Sequence, residues 1–356
     1  MKIRIPWKVQ TTVYLIYQYC CSILSRLTRK KNFGLDISFF CNYQNTTTGA
    51  TVAIAQIANQ LSSQHNVDAY IKPYSGYSKQ LSLSVKQHFS PESLNGRLVF
   101  VDIGQDNKIV EEMVDDNKQV ILTCHAFPML LHNVPQPKLI RNLELATQIH
   151  FVSTHQRLEF IRQYPEIEIE SKSFVIANYT RQGTQEATTG NIGIVGHLNR
   201  EPKNAIRGIQ LAHQSNAKLI QCWGSDNIYG LDNPTSYPKL RLNGWTNSIH
   251  KMHRSFDVLL STSRSETFGL VVVEALSAGI PCVLSDIPVY RELYSGCKGI
   301  IFITGDDQQD IRSINQLLDQ SQSLKKGMIQ YWQENFSDQV IRSTWLDKLG
   351  RLNTQQ

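Results

Sequence analysis

The chain has 356 residues, 41% of them hydrophobic and 19% charged, which favours two folded domains and excludes wholesale disorder. Its seven cysteines show no CxxC spacing, which argues against a disulfide framework or a zinc site and favours a reducing compartment. The net charge of +6 is local, because residues 1–33 hold seven Lys and Arg and no acid, so the remainder carries −1; a nucleic-acid surface spread over the fold is excluded.

The basic segment 1–33 contains an amphipathic helical pattern over residues 11–27. Its polar residues fall on one narrow stripe, and Val, Leu, Ile and Tyr fill the wide remainder. The stretch is too short and too interrupted to span a bilayer, and no small-residue cleavage site follows it. Two interpretations remain open: a helix lying in the interface of an anionic membrane, or a helix packed on the body of the protein.

From residue 35 onward, short apolar runs alternate with helical patterns. The first series runs to 179, a polar linker occupies 180–190, and a second series fills 191–330. Residues 331–356 predict a C-terminal helix that returns toward the first domain. Two successive strand–helix series predict an α/β fold of two doubly wound parallel sheets. The ligand site is expected in a cleft between them, at the carboxyl ends of the strands.

The most informative stretch is "SRSETFGLVVVEALSAGIPCV", residues 263–283. A strand pattern ends in a turn at Gly269, where a backbone without a side chain can approach a ligand. A helix beginning near Phe268 to Leu270 would aim its first amides at an anion, most simply a phosphate. Glu266 stands beside that position, and Glu274 lies one turn beyond Leu270, where it could accept hydrogen bonds from sugar hydroxyls. The alternative is that both glutamates are simply solvated.

This stretch closely resembles the E-x7-E motif of retaining glycosyltransferases of family 4, which have the GT-B fold. The resemblance extends over residues 35–348 in matching order. "NIGIVGHLNREPKN" is similar to the family's first strand and phosphate loop of the second domain, and "LIQCWGS" to its next strand and glycine. "LNGWTNSIHKMHRSFDVLLSTS" is similar to the family's later segment G-(x)n-aromatic-x-x-A-D-V-x-V-x-P-S. "TCHAF" and "TTTGATVAIAQIANQL" resemble the histidine segment and the glycine loop of the first domain.

The resemblance implies a role for each matching residue. Glu274 would bind the ribose hydroxyls of the donor, Glu266 would lie beside the donor sugar, and Lys203 would stabilise the diphosphate. Catalytic residues are therefore expected to be Glu266, His125 and Lys203. The remaining donor-binding candidates are Phe268, Gly269, Leu270, Gly49, Trp245 and Thr246. Taken alone, Lys203 is equally a surface lysine at a helix start, and His125 a core or surface histidine.

Two departures from the family pattern stand out. His197 occupies the position of an arginine that normally pairs with the diphosphate lysine, and Arg200 is the candidate substitute. A neutral histidine is a weaker diphosphate ligand than a guanidinium group. The first-domain loop has a single glycine, Gly49, so the hydroxyls of residues 46–48 are candidate donors instead.

The resemblance implies a retaining glycosyltransferase of envelope polysaccharide or glycolipid synthesis. Its expected partners are a nucleotide sugar, a glycan or lipid-linked acceptor and, through residues 1–33, an anionic membrane. No cofactor and no metal are expected, because fixed cations and helix dipoles would replace a metal. The expected location is cytoplasmic and peripheral on the membrane. The alternative is a catalytically weak glycosyltransferase-like binding or chaperone subunit, which His197 keeps open.

Overall fold

The computed structural model describes Ile16, Cys20 and residues 35–43, 49–73, 75–127, 134–184, 188–246 and 248–354. The chain divides into two compact units: Met1–Ile176 with Arg342–Gln356, and Ala177–Ile341. The first division thus falls a few residues before the predicted linker 180–190. The predicted amphipathic helix lies outside the described residues except for Ile16 and Cys20, which are helical and exposed.

The first unit is a seven-stranded parallel sheet in the order β3-β2-β1-β4-β5-β6-β7. Its strands are β1 Asp36–Cys41, β2 Asn66–Ile71, β3 Lys86–His88, β4 Leu98–Asp102, β5 Gln119–Cys124, β6 Gln148–Phe151 and β7 Ser173–Val175. The crossover helices are α1 Gly49–Leu61, α2 Asn107–Asp115, α3 Gln136–Leu145 and α4 Thr154–Gln163. Central strands are buried on both faces, which explains their unbroken apolar runs. The polar edge strand β3 gave no such signal and was not predicted.

The second unit is a six-stranded parallel sheet in the order β10-β9-β8-β11-β12-β13. Its strands are β8 Ile192–Gly196, β9 Ile220–Gly224, β10 Leu240–Leu242, β11 Val258–Ser261, β12 Cys282–Leu284 and β13 Ile300–Phe302. Its helices are α5 Ala205–Gln214, α6 Ile249–His253, α7 Leu270–Ala278, α8 Pro288–Tyr294 and α9 Asp307–Asn335. The predicted class of two doubly wound parallel sheets is confirmed.

The predicted single helical segment 331–356 is wrong in detail. Helix α9 continues to Asn335, and a separate helix, α10, covers Asp338–Thr354. The break falls at Phe336, which leaves helical geometry with φ −136°. Its ring is buried 5.8 Å from the rings of Phe268 and Tyr294, between ring centroids. Helix α9 therefore ends where the Phe336 ring packs into the core, and neither glycine nor proline stands at the break.

Helix α10 contributes its later part to the core of the first unit. Trp345 is fully buried there, with its ring centroid 5.5 Å from that of Phe100, 4.7 Å from His150 and 5.8 Å from Phe174. Lys348 Nζ donates a hydrogen bond of 2.9 Å to the Gln148 side chain. The C-terminal helix therefore packs into the core of the first unit, whose strands come from the N-terminal half of the chain.

Each sheet has one switch point, where connections leave in opposite directions from two neighbouring strands. In the first unit it lies between β1 and β4, and in the second between β8 and β11. Ligands of open α/β sheets bind beyond the carboxyl ends of the strands at these points. Lys203 lies in the loop after β8 and Glu266 in the loop after β11. The strand order therefore places both residues at the switch point of the second unit.

In the part of the chain that the structure describes, none of the helices combines the length and the apolar character needed to cross a bilayer.

Candidate functional site

The loops that follow β8 and β11 are bonded to each other at the switch point of the second unit. The Thr262 hydroxyl donates to the Asn204 carbonyl at 2.8 Å, and the Arg264 amide donates to the Pro202 carbonyl at 2.8 Å. An exposed ion pair between Arg264 and Glu201 also joins the two loops. Asn204 is held in a left-handed conformation with φ 47° where α5 begins. The two loops therefore form a joined rim rather than independent segments.

Lys203 and Glu266 meet on this rim. The Lys203 ammonium lies 2.5 Å from Glu266 Oε1, and the Ser263 hydroxyl donates to the same oxygen at 2.9 Å. Both side chains are largely shielded from solvent, and the lysine passes beside Gly196 at the end of β8. The structure thus brings together two predicted catalytic residues that stand 63 positions apart. The ion pair holds the Lys203 ammonium in a defined position on the rim.

Helix α7 begins at Leu270, directly after Gly269. That glycine has φ +85°, and a Cβ added there would lie 2.7 Å from the ring of Tyr290, so no other residue fits without strain. The Tyr294 hydroxyl donates to the Phe268 carbonyl at 2.9 Å and holds the turn from below. The amides of Leu270 and Val271 have no acceptor among the described residues. They are available to an anion, as predicted from the turn and the helix dipole.

Glu274 lies one turn further along α7. Its side chain is partly exposed, and its carboxylate has neither a hydrogen bond nor an ion pair within the described part of the chain. Although a part of the side chain reaches solvent, desolvation by burial of the carboxyl group raises its pKa from 4.5 to about 7. A carboxylate in this state gains from any ligand that donates hydrogen bonds to it. This is the behaviour expected of a group that binds sugar hydroxyls.

The predicted diphosphate and base positions are in contact with each other. The ring of His197, after β8, lies 4.7 Å from the ring of Trp245, after β10, between centroids. Trp245 is 54% exposed, so much of its ring remains open to a ligand. The Thr246 hydroxyl accepts from the Ser248 amide at 3.1 Å and serves the start of α6. Arg200 is exposed and its guanidinium makes no hydrogen bond to a described residue.

The first unit holds the two remaining candidates, Gly49 and His125. Gly49 is the exposed first residue of α1, and the hydroxyl candidates 46–48 fall outside the described residues. His125 follows β5, with its ring centroid 6.2 Å from that of His150. Burial, and after it the neighbouring His150, lowers the pKa of His125 to about 3, and burial lowers that of His150 to about 4. Both imidazoles are therefore neutral at neutral pH.

Several residues that shape these sites were not predicted. Tyr290 and Tyr294 support the Gly269 turn, and their four-residue spacing on α8 was the available signal. Asp102 ends the apolar run "LVFVD" at the switch point of the first unit, which was an equally visible signal. Within the described ranges, no three His, Cys, Asp or Glu side chains are grouped to hold a metal ion. The expected independence from metals remains a prediction.

Comparison with known families bears on the second unit. Residues 238–335 match the family model described as "Glycosyl transferases group 1". The matched range contains Glu266, the Gly269 turn, α7 and Glu274.

Two curated proteins with a matching stretch are described as "O-antigen biosynthesis glycosyltransferase WclY" from Escherichia coli. Each is 53% identical over 38 residues, which is 11% of this chain and 11% of the relative. The match therefore spans about a tenth of the relatives' length.

Solved structures extend the likeness to both units. One is the crystal structure of Anabaena Alr3699/HepE in complex with UDP, with 16% identity, a TM-score of 0.70, and coverage of 89% of this chain and 100% of that one. Another is the sucrose-phosphate synthase tll1590 from Thermosynechococcus elongatus, with 12% identity, a TM-score of 0.72, and coverage of 90% and 100%. At these identities the likeness establishes the fold. The chain therefore has the predicted GT-B fold.

Proposed function

We propose that this protein is a retaining glycosyltransferase that moves a sugar from a nucleoside-diphosphate sugar to a glycan or lipid-linked acceptor in envelope polysaccharide or glycolipid synthesis. One observation carries the proposal: the Lys203 ammonium is paired with Glu266 just before α7, and among the described residues neither the first amides of α7 nor the Glu274 carboxylate one turn later has a hydrogen-bond partner. A cation and aimed amides suit a diphosphate, and the carboxylate suits ribose hydroxyls.

The descriptions of the similar proteins are consistent with this proposal. The Alr3699/HepE structures are described as complexes with UDP and with UDP-glucose, and the WclY relatives as O-antigen biosynthesis glycosyltransferases. By analogy, the diphosphate of the donor would lie at Lys203 and the start of α7. The base would then extend along the carboxyl edge toward β9 and β10, where Trp245 presents its exposed ring.

In the proposed reaction, the bond between the anomeric carbon and the diphosphate oxygen breaks, and its electron pair stays on the leaving phosphate. Lys203 and the α7 amides stabilise that growing charge. The acceptor hydroxyl attacks from the same face, and its proton passes to the leaving phosphate, so the configuration is retained. Glu266 is already bonded to Lys203 and Ser263. We therefore assign it to positioning the lysine and lying beside the sugar, rather than to a covalent intermediate.

A catalytically weak binding subunit is the second candidate. It is favoured by the ring contact of His197 with Trp245, because His197 stands at the position of the expected arginine. Without that guanidinium, the described diphosphate site has fewer fixed charges than the family pattern implies. Diphosphate binding without turnover is the behaviour that would distinguish this candidate from the first.

The proposed activity is tested by incubating the purified full-length protein with a panel of nucleotide sugars and measuring nucleotide release. Release from at least one donor, lowered by about 10²-fold or more in Lys203→Ala, is the expected result. Calorimetry with the same panel provides the second measurement. Donor binding without release supports the weak binding subunit, and the absence of binding by any member of the panel refutes both candidates.

We also propose that residues 1–33 dock the enzyme on the inner face of an anionic membrane, where a lipid-linked acceptor would be found. The support comes from the sequence. Residues 1–33 contain seven Lys and Arg and no acidic residue, and these basic residues lie beside and within the amphipathic pattern. Each Lys or Arg near such a surface contributes about 1 kcal/mol, and buried Leu, Ile and Tyr add an apolar contribution.

Sedimentation with anionic liposomes tests membrane docking. Full-length protein should pellet at low salt and be released only in part at high salt, because the apolar contribution survives screening. A truncation starting at Asn32 should stay in the supernatant and keep its donor affinity. Identical partitioning of the two proteins would show that the segment is a helix packed on the body of the protein.

A further inference from the structure

Tyr290 on helix α8 is a buried titratable residue that no step of the proposed reaction uses. Its side chain is fully buried, and its ring lies against the Gly269 turn, where a Cβ added to the glycine would stand 2.7 Å from a ring carbon. Filling the space beside this turn requires only an aromatic ring. Phenylalanine would serve that purpose equally well, so the buried hydroxyl of Tyr290 needs a separate explanation.

The Tyr290 hydroxyl lies at one end of a row of hydroxyl groups. Tyr290 Oη is 3.0 Å from Ser261 Oγ, on the last residue of β11, and Ser261 Oγ is 3.5 Å from Ser263 Oγ. All three side chains are buried, and together they are called the hydroxyl row below. The Ser263 hydroxyl donates to Glu266 Oε1 at 2.9 Å. The hydroxyl row therefore runs from the core of the second unit to the carboxylate that is paired with Lys203.

The direction of hydrogen bonding is set at the outer end of the hydroxyl row. An ionised carboxylate only accepts, so Ser263 donates to Glu266, and the Ser263 oxygen can then accept from Ser261. Ser261 in turn can accept from the Tyr290 phenol. Burial, and after it the Glu266 charge, raises the pKa of Tyr290, so the phenol keeps its proton and remains a donor at neutral pH. Successive donors polarise one another, which strengthens the last bond to the carboxylate.

The end of the hydroxyl row acts on the same atom as the catalytic lysine. Glu266 Oε1 accepts from Ser263 on its own loop and lies 2.5 Å from Lys203 Nζ, which comes from the loop after β8. Two groups from different loops thus hold one carboxylate oxygen. If Ser263 were to release that oxygen, the carboxylate could rotate and the ammonium bound to it would move as well.

We propose that Tyr290 is a positioning residue of the transfer reaction: through the hydroxyl row, its phenol holds the Glu266 carboxylate, and thereby the Lys203 ammonium, in the orientation that stabilises the leaving phosphate. Its ring supports the Gly269 turn at the same time. One residue of α8 therefore aligns both the cation and the first amides of α7. The catalytic part of this inference rests on the proposed glycosyl transfer.

The competing explanation is that Tyr290 only fills the space beside the turn. Tyr290→Phe separates the two roles, because phenylalanine keeps the ring and removes the hydroxyl. Ser263→Ala breaks the hydroxyl row at its outer end, next to Glu266. The matched control is Tyr331→Phe on α9. The Tyr331 hydroxyl donates to the Leu293 carbonyl at 2.7 Å, so this variant loses a tyrosine hydrogen bond of the same unit outside the hydroxyl row.

The experiment measures nucleotide release by the full-length protein with the donor that the wild type uses best. Tyr290→Phe should lower kcat about tenfold, as for the loss of one hydrogen bond, and leave the KM for the donor within about threefold. Ser263→Ala should do the same. The double variant should be no slower than the slower single variant, because both changes break one chain of contacts. Tyr331→Phe should act like the wild type.

Wild-type kcat in Tyr290→Phe, or a double variant slower by about a hundredfold, would overturn the inference and leave Tyr290 as a filler of space. Urea unfolding of the same set shows which variants are folded, and Ser261→Ala replaces Tyr290→Phe if the latter is not. A wild type that releases no nucleotide from any donor would refute the proposed glycosyl transfer and, with it, the catalytic role of Tyr290. Turnover without an effect of Tyr290→Phe refutes only the inference, so the two failures are distinguished.

Discussion

The carboxyl edges of the two sheets are built on the same topology but with opposite electrostatics. At the edge of the second unit, Glu266 is bonded to Lys203 and Ser263, so its charge is compensated and the lysine is fixed. At the edge of the first unit, Asp102 has no cation within ion-pair distance among the described residues, and burial keeps His125 neutral. A positioned ammonium suits a phosphate, whereas an edge without a fixed cation suits neutral ligands.

The difference teaches how a repeated fold divides its chemistry. A doubly wound sheet supplies a switch point wherever its strand order reverses, whatever the residues. Which ligand binds there depends on a few side chains placed just after the strands. In the second unit these are charged and joined across two loops; in the first they are separate and largely apolar around one carboxylate. The contrast can be broken or sharpened by substitutions at each edge.

The largest effect is expected from Lys203→Ala. Turnover should fall by about 10²-fold or more, because one preorganised contact to the leaving phosphate is lost. Steady-state nucleotide release measures the change. Lys218→Ala, an exposed lysine just before β9 at the opposite edge, is the control and should act like wild type. If Lys203→Ala stays within twofold of wild type, the diphosphate is held elsewhere, and Arg200 becomes the residue to change.

Glu274→Ala should have the next largest effect, on donor affinity. Loss of a charged acceptor for ribose hydroxyls corresponds to roughly 1.5–3 kcal/mol, or about ten- to a hundredfold in Kd. Since the pKa of Glu274 is about 7, wild-type affinity should also decline as the pH falls below 7 and the carboxylate is protonated. Calorimetry at pH 8 and pH 6 measures both effects.

The control for Glu274 is Glu292→Ala, an exposed glutamate on α8. It should leave both the donor affinity and its pH dependence as in the wild type. Glu274→Ala, in contrast, should lose the component of the pH dependence near 7. Unchanged donor affinity in Glu274→Ala would remove Glu274 from the site and would weaken the contrast between the two edges.

A smaller effect is expected from Trp245→Ala. Stacking of a base on an aromatic ring contributes about 1–3 kcal/mol. We expect a contribution near the lower value, because much of the Trp245 side chain is exposed to solvent. Affinity for UMP should fall about tenfold, while affinity for pyrophosphate should not change. Quenching of tryptophan fluorescence by UMP, absent in the variant, is an independent measurement. Equal losses for UMP and pyrophosphate would place Trp245 near the phosphates instead.

The smallest predicted effect is on stability, and it comes from the buried histidines of the first unit. His125 and His150 have folded-state pKa values of about 3 and about 4, below the ordinary 6.5. The unfolded chain therefore binds more protons between these values, and stability present above pH 6.5 is lost as the pH falls. The slope is at most about 1.4 kcal/mol per pH unit for each histidine.

Urea midpoints at pH 7.5 and pH 5.5 measure this loss. His150→Asn, which can keep an N–H for the Ile176 carbonyl that His150 contacts at 2.9 Å, should show a shallower decline than the wild type. His213→Asn, at the end of α5 in the second unit, serves as the control and should follow the wild type. Donor affinity at pH 7.5 should be the same in all three proteins.

The sequence by itself determined the features that depend on neighbours along the chain. The alternation of apolar runs with helical patterns gave two parallel sheets, because a strand buried on both faces must be apolar throughout. The stretch 263–283 gave the glycine turn, the helix start and the spacing of Glu266 and Glu274, because eight residues of turn and helix fix that geometry locally. These predictions required no knowledge of the rest of the chain.

Only the tertiary structure decided the contacts between distant segments. Lys203 meets Glu266 across 63 residues because β8 and β11 are neighbours in the sheet, although two strands intervene in sequence. His197 meets Trp245 because both follow strands that end at one edge. The isolation of Asp102 and the neutrality of His125 arise from burial, which depends on what packs around a side chain. The order of strands and the burial of charges are properties of the folded chain, so no local pattern encodes them.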